Sequence, residues 1–167
     1  MRYTDEEQLR WFASLATMYG TAAALITAPS GGVLLVKPNY RAHWSLPGGI
    51  LEDAEPPHDG CAREVREELG VDVPLGPLLA VDWVAPEGLR RKPMVAFIFD
   101  GGVLADPSAI MLQESELDEY RFVAPAEFPQ YLPPHMAARV AAALHARNGG
   151  PARAGAVYVP DGPPRYQ

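Results

Sequence analysis

The spacing of apolar and polar residues changes period several times along the chain. Near the start, Thr4-Asp5-Glu6-Glu7 has the form of a capping box, and the pattern behind it predicts a helix running to about Tyr19. On that helix Leu9, Phe12 and Ala16 make one apolar stripe, and Trp11, Leu15 and Met18 make another. A terminal helix apolar on two sides can cover its own domain with one stripe and a partner with the other, so a homodimer through this helix is expected. Residues 21–28 and 33–37 read as strands joined by the turn Pro29-Ser30-Gly31-Gly32, and no charged residue occurs between Arg10 and Lys37. Ala22, Ala23 and Ala24 imply close packing of a helix over the first of these strands.

Further strands are predicted at about 72–84, at 93–100 and at 120–123. A last helix begins near Pro133-Pro134, carries Met136, Val140 and Leu144 at four-residue intervals, and stops at Gly149-Gly150. Strands interleaved with two or three helices predict an α/β fold with a mixed sheet between helical layers and an extra N-terminal helix.

The middle of the chain carries the chemistry. A helix is predicted from Pro56-Pro57, where proline suits the first turn, to Gly70, which suits a left-handed C-terminal cap. Cys61, Ala62, Val65 and Leu69 share one face that can dock on a sheet. Glu64, Glu67 and Glu68 stand at i, i+3, i+4 spacing on another. Like charges at that spacing repel. A hard divalent cation such as Mg²⁺, with Mn²⁺ as the substitute, would relieve the repulsion, since it prefers carboxylate oxygens and keeps waters for a phosphate substrate. Ahead of the helix, Trp44-Ser45-Leu46-Pro47-Gly48-Gly49 reads as a strand end entering a glycine turn. There the backbone can approach a ligand, and a carbonyl of Gly48 or Gly49 can turn toward a metal. Arg63 sits between the glutamates and is expected to hold Glu55 or Glu67 through a bidentate pair.

Composition narrows the partners. The 167 residues fit one domain over residues 1–150, with a Pro/Gly-rich tail at 151–167 of a composition that is ordinarily disordered, in which Val157, Tyr158 and Val159 are the residues that could lie against something. The net charge is −7, and the acidity is local: residues 52–68 hold seven acids and two arginines. No basic stripe exists, so extended nucleic acid is a poor partner. The single cysteine, Cys61, excludes an internal disulfide and suits a reducing compartment. The acidic N-terminus lacks the form of a signal peptide, and no apolar run approaches membrane-spanning length, so a soluble cytoplasmic protein is expected.

Residues 49–71, read as Gly49-x5-Glu55-x7-Arg63-Glu64-Val65-x-Glu67-Glu68-x-Gly70-Val71, match every fixed position of the Nudix box. The chain therefore resembles the Nudix hydrolases, which act on nucleoside diphosphates linked to another moiety. The box covers about a seventh of the chain, and the order of predicted elements around it is similar to that family. The resemblance implies an α/β/α sandwich and Mg²⁺-dependent hydrolysis of a pyrophosphate linkage in a small nucleotide such as ADP-ribose, a nucleotide sugar or a nucleoside triphosphate. It implies Glu64, Glu67 and Glu68 as metal ligands, with the carbonyl of Gly48 or Gly49 available to complete the site. Proton abstraction falls to Glu64 or to a carboxylate from a loop before a late strand, for which Glu116 and Glu114 rank ahead of Glu119. Tyr40, Arg41 and Trp44 are candidates for holding the substrate with the Gly48-Gly49 turn, as are Trp83 and Arg90-Arg91-Lys92. The competing reading is a nucleotide-sensing module of the same fold that does not hydrolyse, although no box glutamate is missing here.

Overall fold

The computed structural model describes residues 3–149 and 157–160. Helix α1 (Asp5–Ser14) is followed by β1 (Tyr19–Thr27), β2 (Val33–Pro38), β3 (Gly48–Ile50), α2 (Pro57–Leu69), β4 (Leu78–Val84), β5 (Met94–Val103), β6 (Leu117–Val123), α3 (Phe128–Tyr131), α4 (Pro134–Arg147) and β7 (Val157–Pro160). The strands make one mixed sheet in the order β6-β2-β1-β5-β4-β7, with β3 added to β1. The β1–β5 and β4–β7 pairs are parallel and the other pairings antiparallel.

Alternation along the central strands divides the core into two layers. Leu25, Val33, Leu35 and Ile98 face one side, where α3 and α4 contribute Phe128, Leu132, Val140 and Ala143. Ala22, Ala24, Ile26, Leu34 and Val36 face the other, where α2 lays down Cys61, Val65 and Leu69. The alanines of β1 let α2 come close, as their size predicts. A strand apolar on both faces, such as β2, needs cover on both sides.

Several boundaries differ from the sequence-based expectation. Helix α1 stops at Ser14 rather than near Tyr19, because Leu15 is extended and Tyr19 is already paired with Met94 of β5. The capping box at Thr4 and Glu7 forms, yet α1 buries none of its residues, and Trp11 and Phe12 stay 57% and 60% exposed. Neither stripe covers the domain. The strand expected at 72–84 begins only at Leu78; the residues ahead of it include Pro74 and Pro77, which have no N–H for a ladder. The glycine turn is itself a short strand, β3, and residues 157–160 of the tail add β7 to the β4 edge. No helix among the described residues is long and apolar enough to cross a membrane.

Candidate active site

Helix α2 is placed by its ends and its apolar face. Pro57 opens it, Gly70 closes it with φ 65°, and the Gly70 N–H donates to the Arg66 carbonyl at 2.9 Å. With Cys61, Val65 and Leu69 docked, Glu64 and Glu68 turn toward the Gly48-Gly49 strand. Glu68, only 6% exposed, accepts a hydrogen bond from the Gly48 N–H at 2.8 Å. Gly48 has φ 140°, and a Cβ there would lie 2.2 Å from the Ala22 carbonyl oxygen, so only glycine allows this register. At Gly49 a Cβ would sit 2.4 Å from the Glu64 carboxyl carbon, so the missing side chain is the space that carboxylate occupies.

Arg63 organises the acids around it. Its Nε and Nη2 donate to the two oxygens of Glu55 at 2.8 and 3.0 Å, a bidentate pair. Its Nη1 donates to Glu64 and to Glu67, both at 3.0 Å, and Nη2 also reaches the Ile50 carbonyl at 3.3 Å. Glu55 stands just after Ala54, whose φ of 58° turns the loop sharply. It also accepts from the Glu52 N–H at 2.9 Å. The Arg63 hydrogen bonds hold the Glu55 carboxyl down at about 2 and push the guanidinium pKa further up.

The other acids move the opposite way. Burial lifts Glu68 to about 8 against the pull of the Gly48 N–H, with Glu64 and Glu116 adding repulsion. Burial likewise raises Glu64, which Arg63 partly offsets and Glu67 and Glu116 reinforce. Burial and mutual repulsion both disfavour the charged forms of Glu64 and Glu68, which favours a cation beside them.

Glu116 reaches this group because its loop is tied to the end of α2. The Met111 and Gln113 N–H groups donate to the Leu69 and Glu68 carbonyls at 2.8 and 3.0 Å, satisfying acceptors the helix leaves open. Glu64, Glu68 and Glu116 thus line one end of a cavity of about 520 Å³. All the donors there are oxygen, the set a hard divalent ion takes. They do not form a finished cage: among the described residues no three His, Cys, Asp or Glu side chains converge as one would require. Arg63 draws Glu67 away to the rim, and the Gly49 carbonyl accepts from the Thr21 hydroxyl at 2.6 Å.

The remaining candidates separate clearly. Tyr40 and Arg41 line the cavity, the Arg41 guanidinium 5.5 Å from the Tyr40 ring centre and donating to Ser45 Oγ at 3.0 Å. The Arg41 Nε is buried without an acceptor among the described residues. Trp44, expected beside the substrate, is instead outside the cavity lining. It packs edge-on against Tyr131 at 5.4 Å, with the Arg121 guanidinium 5.5 Å from its ring, because the segment between β2 and β3 is tied to α3 by the Trp44 N–H, which donates to the Tyr131 carbonyl at 3.2 Å. Glu114 is exposed and off the lining, and Glu119 is paired with Arg121. Of Arg90-Arg91-Lys92 only Arg90 lines the cavity, and it donates to its own hairpin at the Ala85 and Lys92 carbonyls.

Sequence reasoning missed the wall built by α4. His135, Met136, Arg139 and Val140 line the far end of the cavity, and Arg139 is paired with the buried Asp82 of β4. A signal existed: Asp82 is a lone acid inside the apolar run of β4, and Arg139 is a cation in the alanine-rich middle of α4, away from the basic last turn.

Residues 18–144 match the family model of the NUDIX domain. An 8-oxo-dGTP diphosphatase from Proteus vulgaris is 37% identical over 80 residues, which are 46% of this chain and 70% of that protein. A MutT-like protein from Streptomyces ambofaciens is 38% identical over 61 residues, and the match spans 36% of this chain and only 40% of that protein. Among solved structures, the MutT protein from Methanosarcina mazei Go1 has a TM-score of 0.67 at 28% identity, covering 81% of this chain and 99% of that one.

Proposed function

The chain belongs to the NUDIX family, and from that premise we propose that it hydrolyses the pyrophosphate linkage of a small nucleoside diphosphate derivative with Mg²⁺ bound. The observation that carries this reading is the cavity end where Glu64, Glu68 and Glu116 face one another, with Arg41 close enough to Glu68 to oppose its protonation. Acids there would hold the cation, and a cation is what brings a polyanion to an acidic wall.

In this reading Glu64, Glu67 and Glu68 are the ligands, Glu67 swinging in from its contact with Arg63, and Gly49 offers its carbonyl. When bound, the ion neutralises phosphate oxygens and lowers the pKa of water. Glu116 or Glu64 accepts the proton from the attacking water. Arg63 keeps Glu55 and the box loop in place, and Arg41 with Tyr40 meets the phosphates from the cavity wall. Helix α1, with Leu9, Trp11 and Phe12 exposed, serves to pair two copies of the chain.

Formation of the nucleoside monophosphate from ADP-ribose, nucleotide sugars and nucleoside triphosphates, followed by chromatography with Mg²⁺ and with EDTA, tests the reaction. Hydrolysis that requires the metal is expected. Binding of these compounds without hydrolysis would replace the reading with a sensing module. Sedimentation at micromolar concentration tests the pairing, and a monomer alone would remove it.

A further inference from the structure

The cavity has a second end whose chemistry differs from the acidic one, and that end belongs to residues for which the box has no use. Arg139 lines the cavity from α4 with its side chain 14% exposed, and behind it Asp82 of β4 is 4% exposed. Nε and Nη2 of Arg139 both engage the same oxygen of Asp82. A guanidinium carries five N–H donors in one plane, more than a single carboxylate oxygen can take. Val84, Met94 and Ala96 from the sheet and Met136 and Val140 from α4 give the lining its apolar members, beside His135 of α4 and Glu87 and Arg90 of the β4–β5 hairpin.

Two physical conditions then restrict what can lie against Arg139. Its charge is already cancelled by Asp82, so a second anion in this buried place would be in excess and poorly solvated. A neutral group bringing acceptors only, in a plane, would use the remaining donors at no charge cost. A flat ring also suits a lining that includes two methionines, Met94 and Met136, whose thioethers adapt to aromatic faces. The cavity of about 520 Å³ is within the size range of small-ligand sites.

We infer that Arg139, oriented by Asp82, is the specificity-determining residue of the cavity, and that it reads the base of the nucleotide through two adjacent acceptors, as in the O6/N7 edge of a 6-oxopurine. Arginine matches that edge bidentately, whereas adenine offers an amino donor in place of O6 and confronts donor with donor. The inference rests on the nucleotide reading above and adds which end takes the base and which bases it admits. The phosphates then lie toward Arg41 and the carboxylates, and Asp82 is a positioning residue that holds the fork in its plane.

Calorimetric binding of nucleoside monophosphates, which have no pyrophosphate bond to cleave, tests the assignment in the full chain with Mg²⁺ present. GMP and IMP should bind roughly tenfold or more tightly than AMP, and 7-deaza-GMP, which lacks only the N7 acceptor, should fall between them. Arg139→Lys keeps the charge opposite Asp82 but loses the planar fork, so the GMP-to-AMP ratio should collapse toward one, and the ratio of kcat/KM for GTP over ATP should collapse with it through KM. Equal binding of GMP and AMP by the wild-type protein, no loss with 7-deaza-GMP, or no measurable binding of either monophosphate overturns the inference. Those three comparisons need no variant, so an unfolded Arg139→Lys protein does not blunt them. A GMP preference lost in Arg139→Lys, in a protein that hydrolyses no nucleotide, would instead sink the hydrolase reading and leave the base assignment standing.

Discussion

Helices α2 and α4 face the same cavity from opposite layers of the sheet and supply opposite kinds of wall. Helix α2 presents carboxylates that repel one another, held by Arg63 and the Gly48 N–H at fixed distances. Helix α4 presents methionine, valine, a histidine and one guanidinium whose charge Asp82 already cancels. The first wall stores unfavourable charge that a cation can relieve; the second is electrically quiet and selective by shape and hydrogen bonding. Changes on α2 should therefore strike the rate of reaction, and changes on α4 the choice of substrate.

The sharpest break in that contrast is Glu68→Gln. It keeps the size of the side chain and an acceptor for Gly48 N–H but removes the charge. Turnover at saturating Mg²⁺ should fall by more than the roughly 100-fold typical of groups that only orient a ligand. The metal-free protein should melt no lower than wild type, because burial penalises the charge being removed. A variant that turns over at the wild-type rate would strip Glu68 of its assigned place.

Arg63→Ala comes next. Four of its hydrogen bonds run to Glu55, Glu64 and Glu67. Its loss should lower the rate by about tenfold to 100-fold and the melting temperature by several degrees. Arg63→Lys should not rescue it, since lysine cannot fork between carboxylates. A rate loss without any thermal shift would show that Arg63 does not brace the loop.

Gly49→Ala probes the same wall with one methyl group. The new Cβ would enter the space of the Glu64 carboxylate, the flexible end of a side chain, so the protein should fold while Glu64 swings aside. Turnover should drop about tenfold, and the metal dependence should shift to higher concentration. Gly48→Ala is the contrast: its Cβ meets the backbone of Ala22 and Ala23, and loss of folded protein is expected.

The smallest effect is electrostatic. In metal-free protein Glu68 has a folded pKa of about 8 against an ordinary 4.5, so between those values the folded state binds the extra proton. Stability should fall as pH rises through that window, and Mg²⁺ should remove most of the fall at pH 8. Glu55, held at about 2, acts only at acid pH, where its contribution is lost on falling from 4.5 toward 2. Burial and nearby cations lower His43, which adds a slope of the opposite sign below its ordinary 6.5, so thermal melts should compare wild type with Glu68→Gln. Identical slopes in the two proteins would contradict the buried charge.

These expectations differ in how far the sequence foretold them. The α2 wall was readable because its parts lie within residues 49–71 and a helix of 3.6 residues per turn fixes which of them are neighbours. Arg63 and its partners needed no tertiary information beyond one loop. Glu116 was harder, since three acids in one loop look alike; hydrogen bonds from Met111 and Gln113 to the end of α2 select it. Trp44 was misplaced because an aromatic beside a glycine turn can fall to either side of the sheet, and the side it takes depends on Tyr131, far along the chain. Helix α1 ran too long on paper because its apolar pattern continues past Ser14, where pairing of β1 with β5 takes over.

By itself the sequence determined the family, the alternation of strands and helices, and the acidic face of α2, since each rests on local periodicity or on residues close along the chain. Only the tertiary structure decided that Asp82 and Arg139, 57 positions apart, would meet behind the cavity, that Glu67 would be drawn to Arg63, and that α1 would stand clear of the sheet. The reason is the same throughout: contacts between distant segments depend on strand order and on which layer a helix joins, and neither is written in the spacing of neighbouring residues.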